Sequence, residues 1–205
     1  MKRAGLIESF RVAGWGVLHT IATQRHMKVH VTSAVMVMIV GMALPLSLAS
    51  RVALLFSIAL VFFAEILNTA LEHFVDLHIA EFERGAMLAK DAAAAGVLVL
   101  AAVTVFVLAD ILYVNWALVE ANVEAVVRSL LFGLPLTGVV IVMLFGPARW
   151  WVRLCMLVAA AAFVLPLVQA STDPVFSILL GVLVVLAAAS RRRPEASPPA
   201  ARAPD

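Results

Sequence analysis

Four polar side chains recur at helical spacing near the end of a long apolar segment: Glu65, Asn68, Glu72 and Asp76. Because a helix turns ~100° per residue, all four lie within about 80° of arc on one face. A carboxylate inside a membrane span costs roughly 2.5–3.5 kcal/mol, so three acids on one face require protein, water or a cation as partner. Hard divalent cations such as Mg²⁺ bind oxygen ligands of this kind. This acidic stripe therefore indicates a site for a metal ion, or for a phosphate group held through one.

Two other interpretations of the acidic stripe stay open at this point. The four residues could hold helices together or mark a helix end that returns to water, which suits Asp76 better than the whole set. Alternatively, the three acids could form a cation or proton path in a membrane transport protein. Against transport, the acids stop on one helix, and the last three apolar segments contain no acid that would continue a path.

A second charged group, Lys90 and Asp91, follows the acidic stripe and precedes the next apolar run. A basic residue at the start of a membrane helix is what topology alone would place there, so Lys90 by itself is weak evidence for a site. Topology does not require the neighbouring Asp91, although Asp91 could cap the helix that follows. The pair is therefore a candidate to complete the site that the stripe begins.

The elements that position these residues are membrane helices. Hydrophobic residues make up 64% of the 205 positions, against roughly 45–50% in soluble domains, and charged residues gather between apolar runs. We therefore expect an all-α membrane protein with an amphipathic surface helix from about Arg3 to Gln24. Six apolar stretches are long enough to span a bilayer: 30–48, 52–76, 92–114, 129–147, 150–169 and 174–190. The single cysteine, Cys155, is expected to be a buried thiol within the fifth of them.

The distribution of basic residues predicts the orientation of these spans. With the N-terminus in the cytoplasm, thirteen of the fifteen Lys and Arg residues fall on the cytoplasmic side, and only Arg51 and Arg128 fall outside. We expect a multi-pass protein of a bacterial inner membrane with both termini in the cytoplasm. The net charge is only +2, and the basic residues flank apolar runs rather than form a stripe with aromatics, which excludes a nucleic-acid-binding protein.

Two blocks of sequence resemble the prokaryotic diacylglycerol kinase family, which includes the undecaprenol kinases. They are E-I-L-N-T-A-L-E-x-x-x-D at 65–76 and A-K-D at 89–91, with fainter matches at 9–16 and 27–30, and together they cover roughly 5–115. The resemblance implies a three-span kinase assembled as a homotrimer, with active sites shared between neighbouring subunits. It implies transfer of the γ-phosphate of ATP, with Mg²⁺, to a lipid hydroxyl. Neither a P-loop nor a kinase glycine-rich loop is present in the sequence, as the resemblance leads one to expect.

The family pattern also implies roles for particular residues. Glu65 matches the general base on the lipid hydroxyl, Asn68 matches a polar position beside it, and Glu72 matches the residue that binds the metal and ATP. The remaining positions are expected to lie along the nucleotide, and they are Asp76, Glu81, Phe82, Glu83, Lys90 and Asp91. The acceptor is expected to be diacylglycerol, which would give phosphatidic acid, with undecaprenol as the alternative.

The sequence departs from the family pattern at one metal position and in its length. Gln24 stands where the family usually has a second metal-binding glutamate, and its amide oxygen can ligate a cation but brings no charge. A degenerate, inactive homologue is therefore a further alternative. Beyond a kinase-like domain at 1–118, we expect an extracytoplasmic linker at 119–128, additional membrane helices at 129–190 and a disordered cytoplasmic tail at 191–205. The added helices show no second catalytic pattern, so a structural role is expected for them.

Overall fold

The computed structural model of the chain describes residues 5–79, 83–146 and 149–190, and these ranges contain helices and no strand. The helices are α1 Leu6–Thr23, α2 Arg25–Ala43, α3 Leu48–His78, α4 Arg84–Val114, α5 Trp116–Ala121, α6 Val123–Phe145, α7 Trp150–Ala170 and α8 Pro174–Ala189. The predicted fold class, an all-α membrane protein, is confirmed. The predicted tail at 191–205 lies outside the described residues.

Five of these helices are long and apolar enough to cross a membrane, namely α2, α3, α4, α6 and α7. The sixth predicted span corresponds to α8, whose 16 residues extend for only about 24 Å at 1.5 Å per residue. α2 and α4 begin at Arg25 and Arg84, well before the predicted starts at 30 and 92. The apolar run marks only the part of a helix that suits hydrocarbon, whereas backbone hydrogen bonding carries the helix on into the interface. Asp91 therefore lies inside α4, and the interpretation that it caps this helix is wrong.

Two further expectations can be compared with the observed elements. The segment 119–128, expected to be a linker, is largely helical, because it contains the end of α5 and the beginning of α6. Cys155 is exposed on α7, so the expectation of a buried thiol is wrong. An apolar sequence does not indicate burial in a membrane helix, because lipid accepts apolar side chains as readily as the protein interior does.

Helix α2 is the most buried of the five long helices, and it packs against α6, α8 and α3. Glycines allow the helices to approach closely. A Cβ at Gly133 of α6 would lie 2.3 Å from Ile39 of α2, and a Cβ at Gly41 of α2 would lie 2.8 Å from the Phe176 ring of α8. Small residues at such contacts bring backbones together, so that dispersion forces can hold the helices in lipid. The helices beyond 122 thus pack on α2 and form part of one core with it.

Helices α3 and α4 form a long hairpin that leaves α4 mostly exposed. They pack mainly on each other, and the Thr104 hydroxyl of α4 approaches the Ser57 carbonyl oxygen of α3 at 3.4 Å. Their long faces away from this contact carry exposed Leu, Val and Phe side chains, which suit a lipid environment. The hairpin brings the end of α3 beside the beginning of α4. We refer to this end of the bundle as the His78 end, and to the opposite end as the Arg51 end.

At the Arg51 end, an ion pair joins α3 to the start of α8. The Asp173 side chain accepts hydrogen bonds from the backbone N–H groups of Val175 (2.7 Å) and Phe176 (3.4 Å), and Arg51 donates to its other carboxylate oxygen. Asp173 is only 3% exposed. Burial alone opposes its ionisation, but Arg51 and the two amides outweigh burial and hold the pKa of Asp173 below its ordinary value of 3.8. Beside this pair, the Thr172 N–H donates to the Met42 carbonyl oxygen at 3.1 Å.

We expect Arg51→Gln to lower the free energy of unfolding by about 2–3 kcal/mol at pH 7, because it leaves the buried Asp173 carboxylate without its cation. The depressed pKa means that the pair stabilises the fold above about pH 4 and that this contribution is lost as the pH falls through the pKa of Asp173 in the folded protein. The difference between variant and wild type should therefore shrink below pH 4. Unfolding in detergent, followed by circular dichroism over a pH series, measures both effects.

Arg128→Gln is the matched control, since Arg128 is the other basic residue at this end and is exposed. It should change the unfolding free energy by less than about 0.5 kcal/mol at every pH. Equal losses in the two variants would show that the pair does not hold α8 to α3.

Candidate functional site

The deepest member of the acidic stripe, Glu65, is buried against the first turn of α2. It is 2% exposed, and the neighbouring Thr69 hydroxyl donates to the Glu65 backbone carbonyl oxygen at 2.8 Å. The Met27 backbone N–H and the His26 imidazole both lie close enough to act on the Glu65 carboxylate. Met27 is in the first turn of α2, where backbone N–H groups have no partner within the helix. The start of α2 therefore supplies a polar environment for a carboxylate that apolar helices otherwise surround.

One turn further along α3, Asn68 and Glu72 are joined by a hydrogen bond from the amide nitrogen of Asn68 to a carboxylate oxygen of Glu72, at 2.8 Å. Asn68 is buried, and its amide oxygen has no hydrogen-bond partner. Buried polar atoms in native proteins are nearly always paired, so this acceptor is available to a bound group or to water. A hydroxyl group or a hard cation would complete it.

The outer end of the stripe meets the Lys90–Asp91 group across the hairpin. The Lys90 ammonium donates to a carboxylate oxygen of Asp76, which joins α3 to α4. The Asp76 side chain is 64% exposed and that of Lys90 is 33% exposed, so both are accessible to a ligand from solvent. The structure thus brings together the stripe and the basic residue that the sequence identified separately.

Of the other residues that the sequence assigned to a nucleotide, Glu83 and Asp91 belong to the described part of the chain. Asp91 is exposed on α4 beside Lys90, and Glu83 is exposed at the N-cap of α4 without a side-chain capping bond. Glu81 and Phe82 lie outside the described residues. The exposed acids near Lys90 leave a polar surface at the His78 end of the hairpin.

Gln24 lies at the junction between α1 and α2, where the backbone is extended. Its N–H donates to the Thr20 carbonyl oxygen at 2.9 Å, and its own carbonyl oxygen accepts from the Lys28 N–H at 3.4 Å. Among the described residues, no group of three or more His, Cys, Asp and Glu side chains is placed to bind a metal ion. The unpaired Asn68 oxygen and the Glu72 carboxylate nevertheless fit a hard cation such as Mg²⁺, which accepts few protein oxygens together with water and substrate phosphates.

Aromatic contacts hold the end of α1 beside α3, and no sequence pattern predicted them. The Trp15 and His19 rings stack on α1 with centroids 5.3 Å apart, and His19 faces His73 of α3 at 6.2 Å. His73 follows Glu72 directly. Helix α1 therefore contacts α3 at the residue next to Glu72 of the acidic stripe.

An apolar groove of about 400 Å³ runs between α2 and α4 over α3. Its lining residues are mostly aliphatic, with His30, Ser33 and Thr104 as the polar exceptions. Val61 and Phe62 line the groove on α3 one turn before Glu65, so the groove approaches the buried carboxylate from inside the hydrocarbon region. Sequence reasoning missed this groove, because its residues are the same Val, Ala and Leu that any membrane helix carries.

The chain matches known proteins through its first half. Residues 11–112 match the family described as prokaryotic diacylglycerol kinase. The chain is 39% identical to a diacylglycerol kinase of Synechocystis sp. over 103 aligned residues. This aligned segment makes up 50% of this chain and 59% of that protein. The chain is 38% identical to an undecaprenol kinase of Bacillus subtilis over 97 aligned residues. This aligned segment makes up 47% of this chain and 79% of that protein. The chain thus spans less than two thirds of the Synechocystis protein. No solved structure gives a significant match.

Proposed function

The chain belongs to the prokaryotic diacylglycerol kinase family, and we propose that it transfers the γ-phosphate of ATP to the hydroxyl of a membrane lipid. The observation that carries this proposal is the position of Glu65 on α3, which is one turn beyond the groove residues Val61 and Phe62 and on the same helix face as the solvent-accessible Asp76. A lipid could approach along the groove and a nucleotide from solvent, and the two would meet at the acidic stripe.

We assign the role of general base to Glu65. The lipid hydroxyl oxygen attacks the γ-phosphorus, its proton passes to the Glu65 carboxylate, and the bond between the γ-phosphorus and the ADP oxygen breaks. Asn68, one turn away, can accept a hydrogen bond through its unpaired amide oxygen and so orient the acceptor or the metal. A base that hydrocarbon side chains surround keeps bulk water away from the transferring group.

We assign the nucleotide to the outer part of the stripe. Mg²⁺ would be held by Glu72 with the amide oxygens of Asn68 and Gln24, and when bound it would neutralise phosphate charge. Lys90 would exchange its bond with Asp76 for the phosphates of ATP, and we also assign Glu81, Phe82, Glu83 and Asp91 to the nucleotide. Because Gln24 supplies no charge, metal affinity should be lower than with a glutamate at this position.

Diacylglycerol is the proposed acceptor and phosphatidic acid the proposed product. The groove is apolar, which suits an acyl chain of a lipid whose headgroup hydroxyl reaches Glu65. Undecaprenol is the second candidate, favoured by the 38% identity to the undecaprenol kinase of Bacillus subtilis. We further propose a homotrimer in a bacterial inner membrane with both termini in the cytoplasm, which places the His78 end where ATP is available.

The purified protein should transfer labelled phosphate from ATP to diacylglycerol in mixed micelles, and more slowly to undecaprenol. Transfer should require Mg²⁺ and stop on chelation, because the charge on the phosphates must be neutralised. A faster reaction with undecaprenol would reverse the acceptor assignment. A folded protein inactive on both lipids would support a degenerate homologue.

Glu65→Gln should lower kcat by about 10²–10⁴-fold while nucleotide binding is retained, because only the base is lost. Glu72→Gln should instead weaken Mg-ATP binding itself. Steady-state kinetics and calorimetric titration of Mg-ATP separate the two effects. Glu124→Gln, which removes an exposed acid at the Arg51 end, is the control and should leave both quantities unchanged. Near-normal turnover in both site variants would contradict the assignment.

Ala101→Phe should raise KM for the lipid about tenfold with little effect on KM for ATP, because the ring fills the groove that Ala101 lines. Ala102→Phe is the matched control, since the next residue of α4 is exposed and does not line the groove. Similar lipid kinetics in the two variants would show that the acceptor does not enter through the groove.

A further inference from the structure

The apolar groove contains a hydroxyl group that the protein itself does not use. Two of the hydroxyl-bearing residues of α2 and α4, Ser33 and Thr104, line the groove. The Thr104 hydroxyl donates to the Leu100 carbonyl oxygen of its own helix at 2.8 Å. The Ser33 hydroxyl makes no hydrogen bond with any residue in the described part of the chain. Ser33 therefore offers a hydrogen-bond donor to a molecule that occupies the groove.

Other hydroxyl groups in these helices show where such a donor usually finds an acceptor. Thr20, Thr32 and Thr137 each donate to the backbone carbonyl oxygen four residues earlier, at 2.9 to 3.0 Å. The corresponding acceptor for Ser33 is the Val29 carbonyl oxygen, which Ser33 does not contact in this way. A hydroxyl group without a partner in an apolar environment costs free energy. An acceptor brought by the lipid would recover that free energy.

The position of Ser33 along α2 determines which part of a lipid it meets. The backbone N–H of Met27 acts on the Glu65 carboxylate, and Ser33 follows Met27 by six residues, or about 9 Å at 1.5 Å per residue. Because Cβ atoms in a helix tilt toward the N-terminus, the hydroxyl lies somewhat nearer to Glu65 than this rise suggests. A lipid whose hydroxyl lies at Glu65 thus presents to Ser33 the groups a few bonds further along the molecule.

We propose that Ser33 donates a hydrogen bond to an ester carbonyl oxygen of the lipid and thereby selects acylglycerols over polyprenols. In 1,2-diacylglycerol the two esters are attached to the next two carbons after the one that bears the free hydroxyl. Undecaprenol has only hydrocarbon beyond its hydroxyl, so the Ser33 donor would stay unpaired against it. The inference rests on the proposed function, which places the lipid hydroxyl beside Glu65.

The other walls of the groove determine how the lipid is oriented. Their apolar lining residues are Ile58, Val61 and Phe62 of α3, and Ala101, Val105 and Leu108 of α4. These side chains have no hydrogen-bond donor, and the Thr104 hydroxyl is already bonded within α4. The ester side of the lipid therefore faces α2, and an acyl chain lies against α3 and α4.

The test compares 1,2-diacylglycerol with its dialkyl ether analogue, which keeps the hydroxyl and both chains but has no carbonyl oxygen. Wild-type kcat/KM should be about three- to tenfold higher for the ester, as expected for one neutral hydrogen bond. Ser33→Ala should lower kcat/KM for the ester by the same factor. The values for the ether and for undecaprenol should not change, because neither lipid has an acceptor for Ser33 to lose.

Thr32→Val is the matched control. It removes the hydroxyl of the neighbouring residue, which is bonded to the Lys28 carbonyl oxygen and does not line the groove. This variant should keep the wild-type preference for the ester. The proposal would be overturned by an unchanged ester preference in Ser33→Ala, by equal losses on ester and ether, or by the same selective loss in Thr32→Val.

A binding measurement separates failure of this inference from failure of the proposed function. Native mass spectrometry of the protein released from nanodiscs gives the retention of the ester and ether lipids without turnover. An ester preference that Ser33→Ala removes would support the inference even in a protein that phosphorylates neither lipid, a result that overturns the proposed function. An active kinase whose wild type binds and phosphorylates both lipids equally would overturn the inference and leave the proposed function standing.

Discussion

The requirement that every charge inside a membrane protein have a partner determines much of this structure. Asp173 is buried beside Arg51 and two backbone amides, Lys28 lies over an aromatic ring, and Glu65 of α3 faces the beginning of α2. Each arrangement replaces the water that the charge would otherwise have, because hydrocarbon offers no such partner. The Asn68 amide oxygen is a buried acceptor for which the described residues supply no partner.

Helix α2 links the two halves of the chain through its two faces. One face meets α3 and approaches the acidic stripe, while the other packs closely on α6 and α8 through glycines. The helices that follow the kinase-like segment are consequently not an independent domain, since they share a hydrophobic core with α2. The Arg51–Asp173 ion pair joins α3 to the start of α8 at one end, and hydrogen bonds from Arg153 join α7 to the end of α8 at the other.

The sequence was sufficient for the fold class, the existence of the five long apolar helices and the composition of the acidic stripe, because all three depend on local composition and periodicity. Glu65, Asn68 and Glu72 share a face whatever surrounds the helix. By contrast, the Asp76–Lys90 pair, the groove and the burial of Lys28 depend on which helices pack together, and apolar sequences that face lipid resemble those that face protein. Cys155 illustrates the same ambiguity, since its apolar surroundings predicted burial and it is exposed. The predicted starts of α2 and α4 lie several residues after the observed ones for a related reason. Hydropathy identifies the part of a helix that suits hydrocarbon, whereas backbone hydrogen bonds extend the helix beyond that part.

The packing of α6 and α8 on α2 has a consequence for how such a chain could arise. Within a bilayer, lipid tails and aliphatic side chains are nearly equivalent solvents, so residues such as Val31, Val35 and Met38 would be accommodated as well by lipid as by a neighbouring helix. Added helices can therefore replace an annulus of lipid around an existing enzyme without redesign of its surface. The exception is a basic residue such as Lys28. Its ammonium lies over the Phe145 ring of α6, and lipid tails supply no such partner.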